Sequence, residues 1–308
     1  MKVAITGATG LVGTRLVERL QVEGHSVIAL TRRPEHASRL FPQSAFPNVD
    51  IVAYTPTASG AWQQVIAGCD AVVNLAGEPI AEKRWTPEQK QLILTSRQQG
   101  TAKLVEAIAA ATPRPQVLVN ASAIGFYGTS ETATFDETSP SGQDFLAEVC
   151  RQWEAAAQKV TELGVRLVIL RFGIVLANGG AIAKMLTPFR LFAGGPIGSG
   201  RQWFSWIHRD DLVNLILQAL SQPTMSGVYN GTAPTPVRMT ELSQTLGQLM
   251  KRPSWLPVPG FALELLLGDG AQVVLEGQQV LPSRTQATGF QYQYPNLKLA
   301  LEEILSQS

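Results

Sequence analysis

Histidine and cysteine are scarce in this chain of 308 residues, with three of the first (His25, His36 and His208) and two of the second (Cys69 and Cys150). Two cysteines are too few for a disulfide scaffold and have no metal-ligand spacing. Both read as reduced core thiols, and with so few histidines no metal site is expected. Charge is also thin: Asp, Glu, Lys and Arg make up 16% of the chain, against roughly 25% in an average soluble protein. The formal net charge of +1 gives no electrostatic reason to expect nucleic acid or an anionic membrane as the main partner. No apolar run reaches the roughly 18 residues of a membrane span. The sequence opens directly on a strand pattern instead of a signal or transit segment, so a cytoplasmic location is expected. What remains is 45% hydrophobic, enough at this length to bury a full core.

Glycine, by contrast, occurs 27 times, and the first part of the chain uses it in a recognisable way. Val3, Ala4 and Ile5 form the short apolar run of a central parallel strand, and Gly7, Gly10 and Gly13 follow at three-residue intervals where a helix should begin. Gly7 permits the tight turn, Gly10 admits a pyrophosphate to the backbone, and Gly13 lets the helix pack close to the strand. The unpaired N–H groups around Leu11 and Val12, with the helix macrodipole, would meet phosphate charge, and the Thr9 hydroxyl is placed to help. Leu16, Val17 and Leu20 share a helix face, Gly24 closes the helix, and Val27 to Leu30 form the second strand. At its end stand Thr31, Arg32 and Arg33, where an NAD site would carry Asp or Glu for the ribose diol. Two guanidinium groups and a hydroxyl suit a 2′-phosphate, favouring NADP(H) over NAD(H).

Strand and helix signals then alternate, which predicts an α/β fold, a Rossmann-type doubly wound parallel sheet. A strand at Val49 to Tyr54 and a short helix at Trp62 to Ala67 lead to a strand from Ala71 to Leu75, ending in Ala76 and Gly77. Thr86, Pro87 and Gln89 start a helix as N-cap, first-turn proline and capping-box partner; it runs to about Ala111, stopped by Pro113 and Pro115. Val117 to Ala121 is a strand with Ser122 at its carboxyl end, followed by a helix from Asp144 to Leu163 and a strand from Val165 to Phe172. Residues 1–175 therefore read as a nucleotide-binding domain. Residues 176–308 read as a smaller, mixed C-terminal substrate-binding region, from which the chain returns to the first domain at about 203–232. In that return Trp203 to Ile207 reads as a strand, Asp210 and Asp211 open a helix to about Ser221, and Val228 to Asn230 reads as the partner strand. A tail at about 255–303 carries a proline-bounded segment and helices around Leu263, Val273 and Leu299.

These segments resemble the short-chain dehydrogenase/reductase superfamily in its extended, epimerase-like branch, over nearly the whole chain. The resemblance rests on Thr6 to Gly13, Asn74 to Gly77, Ser122 with Gly125 to Gly128, Leu170 to Val175, Trp206 to Asp211 and Gly227 to Asn230. Asn74 to Pro79, Phe145 to Glu148, Gly194 to Gly200 and the tail are similar to an atypical epimerase-family subgroup of bacteria and organelles, sometimes labelled a cell-division inhibitor. The resemblance implies that Leu75, Ala76 and Gly77 pass beneath the adenosine-side ribose and pyrophosphate, and that Val175 approaches the nicotinamide. It further implies that Arg97 lies near the cofactor and that Ser122 is the catalytic hydroxyl, with Tyr127 the only phenol near enough to act as a substitute acid.

One departure stands out. The superfamily's proton chemistry uses a Tyr and a Lys four residues later on the helix that follows the Ser strand, yet of Tyr54, Tyr127, Tyr229, Tyr292 and Tyr294 only Tyr294 has a Lys at that spacing, Lys298, and that pair lies in the C-terminal tail. With Glu154 aligned to the acidic residue that follows the motif, Leu146 and Cys150 take the two places, and neither can do the work. Lys83 to Trp85, Lys184, Arg190 and Arg201 to Trp203 are candidates for the wall of an anion pocket, while His208 reads as a helix cap. Two functions stay open: an NADP(H)-dependent oxidoreductase or epimerase-like enzyme acting on a small polar substrate, or a non-catalytic NADP(H)-binding sensor or regulator with a protein partner.

Overall fold

The computed structural model describes residues 1–307, apart from the side chains of Ala181 and Lys184. In chain order the first part comprises β1 (Lys2–Thr6), α1 (Leu11–Val22), β2 (Ser26–Thr31), α2 (Pro34–Leu40), β3 (Val49–Ala53), β4 (Ala71–Asn74) and α3 (Pro87–Ala110). It continues with β5 (Val117–Ala123), β6 (Thr134–Phe135), α4 (Phe145–Gln158) and β7 (Arg166–Phe172). There follow β8 (Ile174–Leu176), α5 (Gly180–Arg190), β9 (Trp203–Phe204), β10 (Trp206–His208), α6 (Arg209–Ser221), β11 (Gly227–Gly231), β12 (Val237–Arg238) and α7 (Met239–Met250). The tail adds α8 (Gly260–Leu267), α9 (Gln272–Leu275), β13 (Gln279–Val280), α10 (Ser283–Ala287) and α11 (Leu297–Ser306).

The central strands are buried on both faces, and their residues alternate between two cores. Val3, Ile5, Val27, Ala29, Val73 and Val119 pack with Leu16 and Leu20 of α1 and with Leu212 and Ile216 of α6. Ala4, Ile28, Leu30, Val72 and Leu118 pack on the other side with Leu104 and Ile108 of α3. Near-continuous apolar strands with helices on both faces make the parallel doubly wound sheet. Seven strands pair in the order β11-β7-β5-β4-β1-β2-β3, all parallel. The reversal of strand order at β1 and β4 opens a crevice at the strands' carboxyl ends, where ligands of such sheets bind.

Local signals translate well. The Thr86 oxygen accepts from the Gln89 amide at 3.2 Å at the start of α3, but the Thr86 amide donates to the Arg84 carbonyl at 3.1 Å and not to the Gln89 side chain, so only half of the expected capping box forms. The helix expected from Asp144 to Leu163 is α4, capped by Asp144, followed by a 3-10 turn at Lys159–Leu163.

One non-local expectation changes. Trp203 to Ile207 is not the partner of Val228 to Asn230; it divides into β9, which pairs with β12, and β10, which pairs with β8. Ser205 separates the two strands, its hydroxyl donating to the Gln278 carbonyl at 2.8 Å and accepting from the Val280 amide at 2.9 Å. β11 instead completes the edge of the main sheet against β7, Tyr229 opposite Leu170. A third core joins α5, α7 and α11 through Ile182, Leu186, Leu242, Leu246, Leu301 and Ile304. His208 caps α6, with Nδ1 accepting from the Asp210 amide at 3.2 Å and Nε2 bonded to the Glu303 carboxylate at 2.9 Å.

Candidate functional site

The turn between β1 and α1 is shaped by close approach. Gly7 sits at φ +71°, and a Cβ there would lie 2.8 Å from the Leu75 carbonyl carbon; on Gly13 it would lie 2.2 Å from the Gly7 carbonyl oxygen. The helix therefore rests directly on the turn. Gly10 differs, since a Cβ would meet only the Gly7 oxygen, at 3.3 Å. α1 has neither a side-chain cap nor an acid in its first turn, whereas α3, α4, α6 and α7 each carry an acid there. Its first amides are left without helix acceptors, and its positive end without a protein counter-charge.

Beside this turn lies a cavity of about 280 Å³. Gly7, Thr9, Gly10, Thr31, Arg32, Arg33, Leu75, Ala76 and Gly77 all line it, joined by Tyr54 and Ser96. Leu11, Val12 and Gly13 are not part of its wall; the Leu11 side chain packs at Gly179 and Gly180. Thr31 accepts from the Arg33 amide at 3.1 Å and so helps shape the strand end. Arg32 and Arg33 are exposed, and neither joins an ion pair among the described residues. Burial pushes the neighbouring Tyr54 phenol up to about 12, against the opposing pull of Arg32.

A larger cavity of about 420 Å³ shares Leu75 with the first and holds Arg97, Ser122, Gly173 and Val175 in its wall. α4 contributes Leu146, Val149, Cys150 and Trp153, the stripe that a helix presents at spacings of three and four. The residues in the places of the superfamily's Tyr and Lys thus face the same space as Ser122.

Ser122 is buried, and its hydroxyl donates to Glu154 Oε1 at 2.6 Å. Glu154 is itself gripped by Arg171 through two bonds of 2.8 Å. Arg171 Nη1 donates to the Tyr127 hydroxyl at 3.0 Å, which in turn donates to Asn230 Oδ1 at 2.7 Å. Tyr127 therefore points into a buried polar network, stacked on Phe135, and does not line the cavity; burial also raises its phenol. The structure does not bring this phenol to the Ser122 cavity. Burial, reinforced by the Glu154 charge, pushes the Cys150 thiol up to about 11, and its sulfur lies 3.6 Å from the Ala123 carbonyl oxygen.

Arg97 is the unmatched charge of the larger cavity. Its Nη1 donates to the carbonyls of Glu78 (3.0 Å) and Ile93 (3.1 Å), and its guanidinium lies 5.1 Å from the Trp153 ring centre. It has no ion-pair partner among the described residues. A Cβ on Gly77 would come within 2.8 Å of the Arg97 Cζ, so the close approach depends on that glycine. Burial lowers the Arg97 pKa, yet a guanidinium remains a cation.

The expected basic wall is mostly elsewhere. Lys83 pairs with Glu78, Arg84 donates to the Leu265 carbonyl, and Trp85 is buried with Ile93 and Val149. Arg190 is exposed, Arg201 pairs with Glu131, and the Lys184 side chain lies outside the described residues. Trp203 does line the cavity, together with residues the sequence reading passed over: Ile80, Trp153 and, from the tail, Gln272, Val273, Glu276 and Gln278. Among the described residues no His, Cys, Asp and Glu cluster could hold a metal ion, and no helix is long and apolar enough to cross a membrane.

A doubly wound sheet whose glycine turn and second-strand arginines meet at the strand-order reversal defines a Rossmann-type protein of the epimerase kind. The sequence profile of the NAD dependent epimerase/dehydratase family matches residues 3–230, and the chain belongs to that family. A second profile, Domain of unknown function (DUF1731), matches residues 258–304. The chain is 53% identical over 308 residues to the chloroplastic epimerase family protein SDR39U1 homolog of Arabidopsis thaliana, covering 99% of this chain and 87% of that protein. It is 41% identical to an epimerase family protein of Staphylococcus aureus, covering 98% of each. The crystal structure of human epimerase family protein SDR39U1 (isoform 2) with NADPH superposes with a TM-score of 0.88 at 38% identity, covering 100% of both chains.

Proposed function

We propose that the chain binds NADP(H) across the two joined cavities and uses it for hydride transfer to or from a small substrate in the larger one. The observation that carries this reading is the wall shared at Leu75: glycine turn, bare helix end and unpaired Arg32 and Arg33 on one side, Ser122 and Arg97 on the other. The first-turn amides of α1 would take the pyrophosphate, and Arg32 and Arg33 the 2′-phosphate. The human relative's NADPH supports that choice. When bound, the nicotinamide supplies a two-electron hydride couple. Ser122, its proton engaged by Glu154, presents oxygen lone pairs to the cavity, and Arg97 presents positive charge. The division into a nucleotide-binding part (1–175, to which the chain returns at about 203–232) and a smaller substrate-binding part (176–308) belongs to this proposal, since Gln272, Val273, Glu276 and Gln278 of the tail line the larger cavity.

A second reading, a cofactor-binding regulator that does not turn over, is favoured by Leu146 and Cys150 in the Tyr and Lys places. The cofactor assignment is tested by titrating NADPH and NADH against wild type and the Arg32→Ala, Arg33→Ala double variant. Loss of two charge-assisted contacts should cost NADPH about 1.5–3 kcal/mol, roughly ten- to a hundredfold in affinity, while NADH changes little. Equal effects on both nucleotides would overturn it. Turnover then separates enzyme from regulator.

A further inference from the structure

Most of the hydrogen-bond donors that line the larger cavity are committed within the protein, the Trp153 indole N–H, buried without a partner, being an exception. Ser122 donates to Glu154, Thr129 to Glu276 at 2.7 Å, Ser205 to the Gln278 carbonyl, the Trp203 indole to the Glu131 carbonyl and the Gln278 amide to the Ile124 carbonyl at 2.8 Å. The Cys150 thiol, adjoining both Ser122 and Arg97, keeps its proton beside the Ala123 carbonyl. Asp144 and Glu276 act as acceptors, from the Ala147 amide and the Thr129 hydroxyl. What remains in the wall is largely apolar, with the free Trp153 indole N–H, the Asp144 and Glu276 carboxylates and one cation without an ion-pair partner among the described residues, Arg97, whose Nη1 satisfies two carbonyls.

Such a pocket stabilises an anion that forms on an oxygen but offers only the buried, weakly acidic Cys150 thiol with which to quench it. A hydride added to a saturated ketone leaves a simple alkoxide, about as basic as hydroxide, whose formation this pocket does little to assist. A hydride added to a conjugated carbonyl leaves an enolate or phenolate, stable enough to wait for solvent. Ile80, Ile124, Leu146, Val149 and Phe172 make much of the wall apolar, which suits an apolar skeleton better than a sugar.

Resting on the NADP(H) reading above, we propose that the substrate is an apolar, conjugated carbonyl compound of the enone or quinone class, and that Arg97 holds its developing oxyanion. In an enone, hydride from NADPH forms the new C–H bond at the β-carbon. The C=C pair shifts to join the α-carbon to the carbonyl carbon, and the carbonyl π pair moves onto oxygen. NADPH is oxidised by two electrons, the substrate is reduced by two, and solvent later supplies the proton at the α-carbon.

The test uses the intact chain with NADPH, first confirming nucleotide binding by fluorescence titration. Oxidation of NADPH is followed with cyclohexenone, p-benzoquinone and cyclohexanone, and reduction of NADP⁺ with UDP-glucose, whose hydroxyls can only give up a hydride. p-Nitrophenolate, as a stable oxyanion, is titrated into the NADP⁺ complex using tryptophan quenching, since Trp153 and Trp203 line the cavity. Turnover of either conjugated compound at least a hundredfold above cyclohexanone, with none for UDP-glucose, is expected. With NADP⁺ held at saturation for each variant, Arg97→Met should weaken p-nitrophenolate at least tenfold, and Arg97→Lys should recover part of the loss. Comparable use of cyclohexanone or UDP-glucose overturns the proposal, as does p-nitrophenolate binding indifferent to Arg97, or NADPH binding with no member of the panel reduced. Failure of wild type to bind NADPH at all would instead remove the underlying cofactor reading, and this proposal with it.

Discussion

Gly10 and Gly13 stand three residues apart in one turn and answer to different constraints. Gly13→Ala would drive a methyl to 2.2 Å from the Gly7 oxygen, and because both partners are backbone the helix must move. A loss of about 3 kcal/mol in urea unfolding is expected. Gly10→Ala has a permitted φ of −84° and one moderate contact, so stability should stay within about 1 kcal/mol of wild type. Its methyl enters the smaller cavity's wall, so NADPH affinity should fall at least tenfold, read by titration. Equal losses of stability in the two variants would show that Gly10 is also structural. The cradle was legible because its parts are adjacent in sequence. The hold of Glu154 on Ser122 was not, because 32 residues separate them and the bond exists only once α4 docks on β5. Tyr127 followed the same logic: its sequence neighbours place it near Ser122, while Asn230 and Arg171, far along the chain, decide where its hydroxyl goes.

At the scale of elements, α1 and α6 are clamped by Arg15 and Asp210 through bonds of 2.9 and 3.0 Å. Burial alone would push the Asp210 carboxyl up; the Arg15 guanidinium outweighs it and holds the carboxyl below its ordinary value. A carboxyl depressed in the folded state adds stability that is complete above its unfolded value, about 3.9, and is lost as pH falls through the lower folded value. Asp210→Asn should therefore cost about 1 kcal/mol at neutral pH, a modest figure because the pair is partly exposed. The gap from wild type should close as urea melts are taken below about pH 4, and an offset persisting there would point to packing instead of charge. Elements with local punctuation, such as α3 with its Thr86 cap, were readable from sequence. The pairing of β11 with β7 was not, since strand partners are chosen by the vacant sheet edge and by how Ser205 divides β9 from β10. The α4 stripe at 146, 149, 150 and 153 was visible as a helical face, but nothing local said that it faced a cavity and not a core.

For the whole molecule, the first core is not complete at residue 175. Leu212, Val213, Leu215, Ile216 and Leu220 of α6 and Tyr229 of β11 belong to it, and burying a Val, Leu or Ile side chain is worth about 1.5–3 kcal/mol. A fragment of residues 1–175 should lack a cooperative thermal transition by circular dichroism, whereas residues 1–307 should show one; a folded fragment would mean that α6 and β11 are dispensable covers. The tail offers the opposite case. Phe261, Leu265 and Leu266 of α8 are mostly exposed, so Leu265→Ser should shift the melting temperature by no more than a degree or two.

Leu75 stands in the walls of both cavities, and that contiguity fixes how affinity is assembled. Two half-ligands, adenosine 2′,5′-bisphosphate and nicotinamide mononucleotide, would each meet a weak site and bind independently. Joined by their pyrophosphate, the second half would dock at the effective concentration set by a short tether, on the order of millimolar or more. The whole dinucleotide would then owe most of its grip to the continuity of the trough, not to the strength of either end.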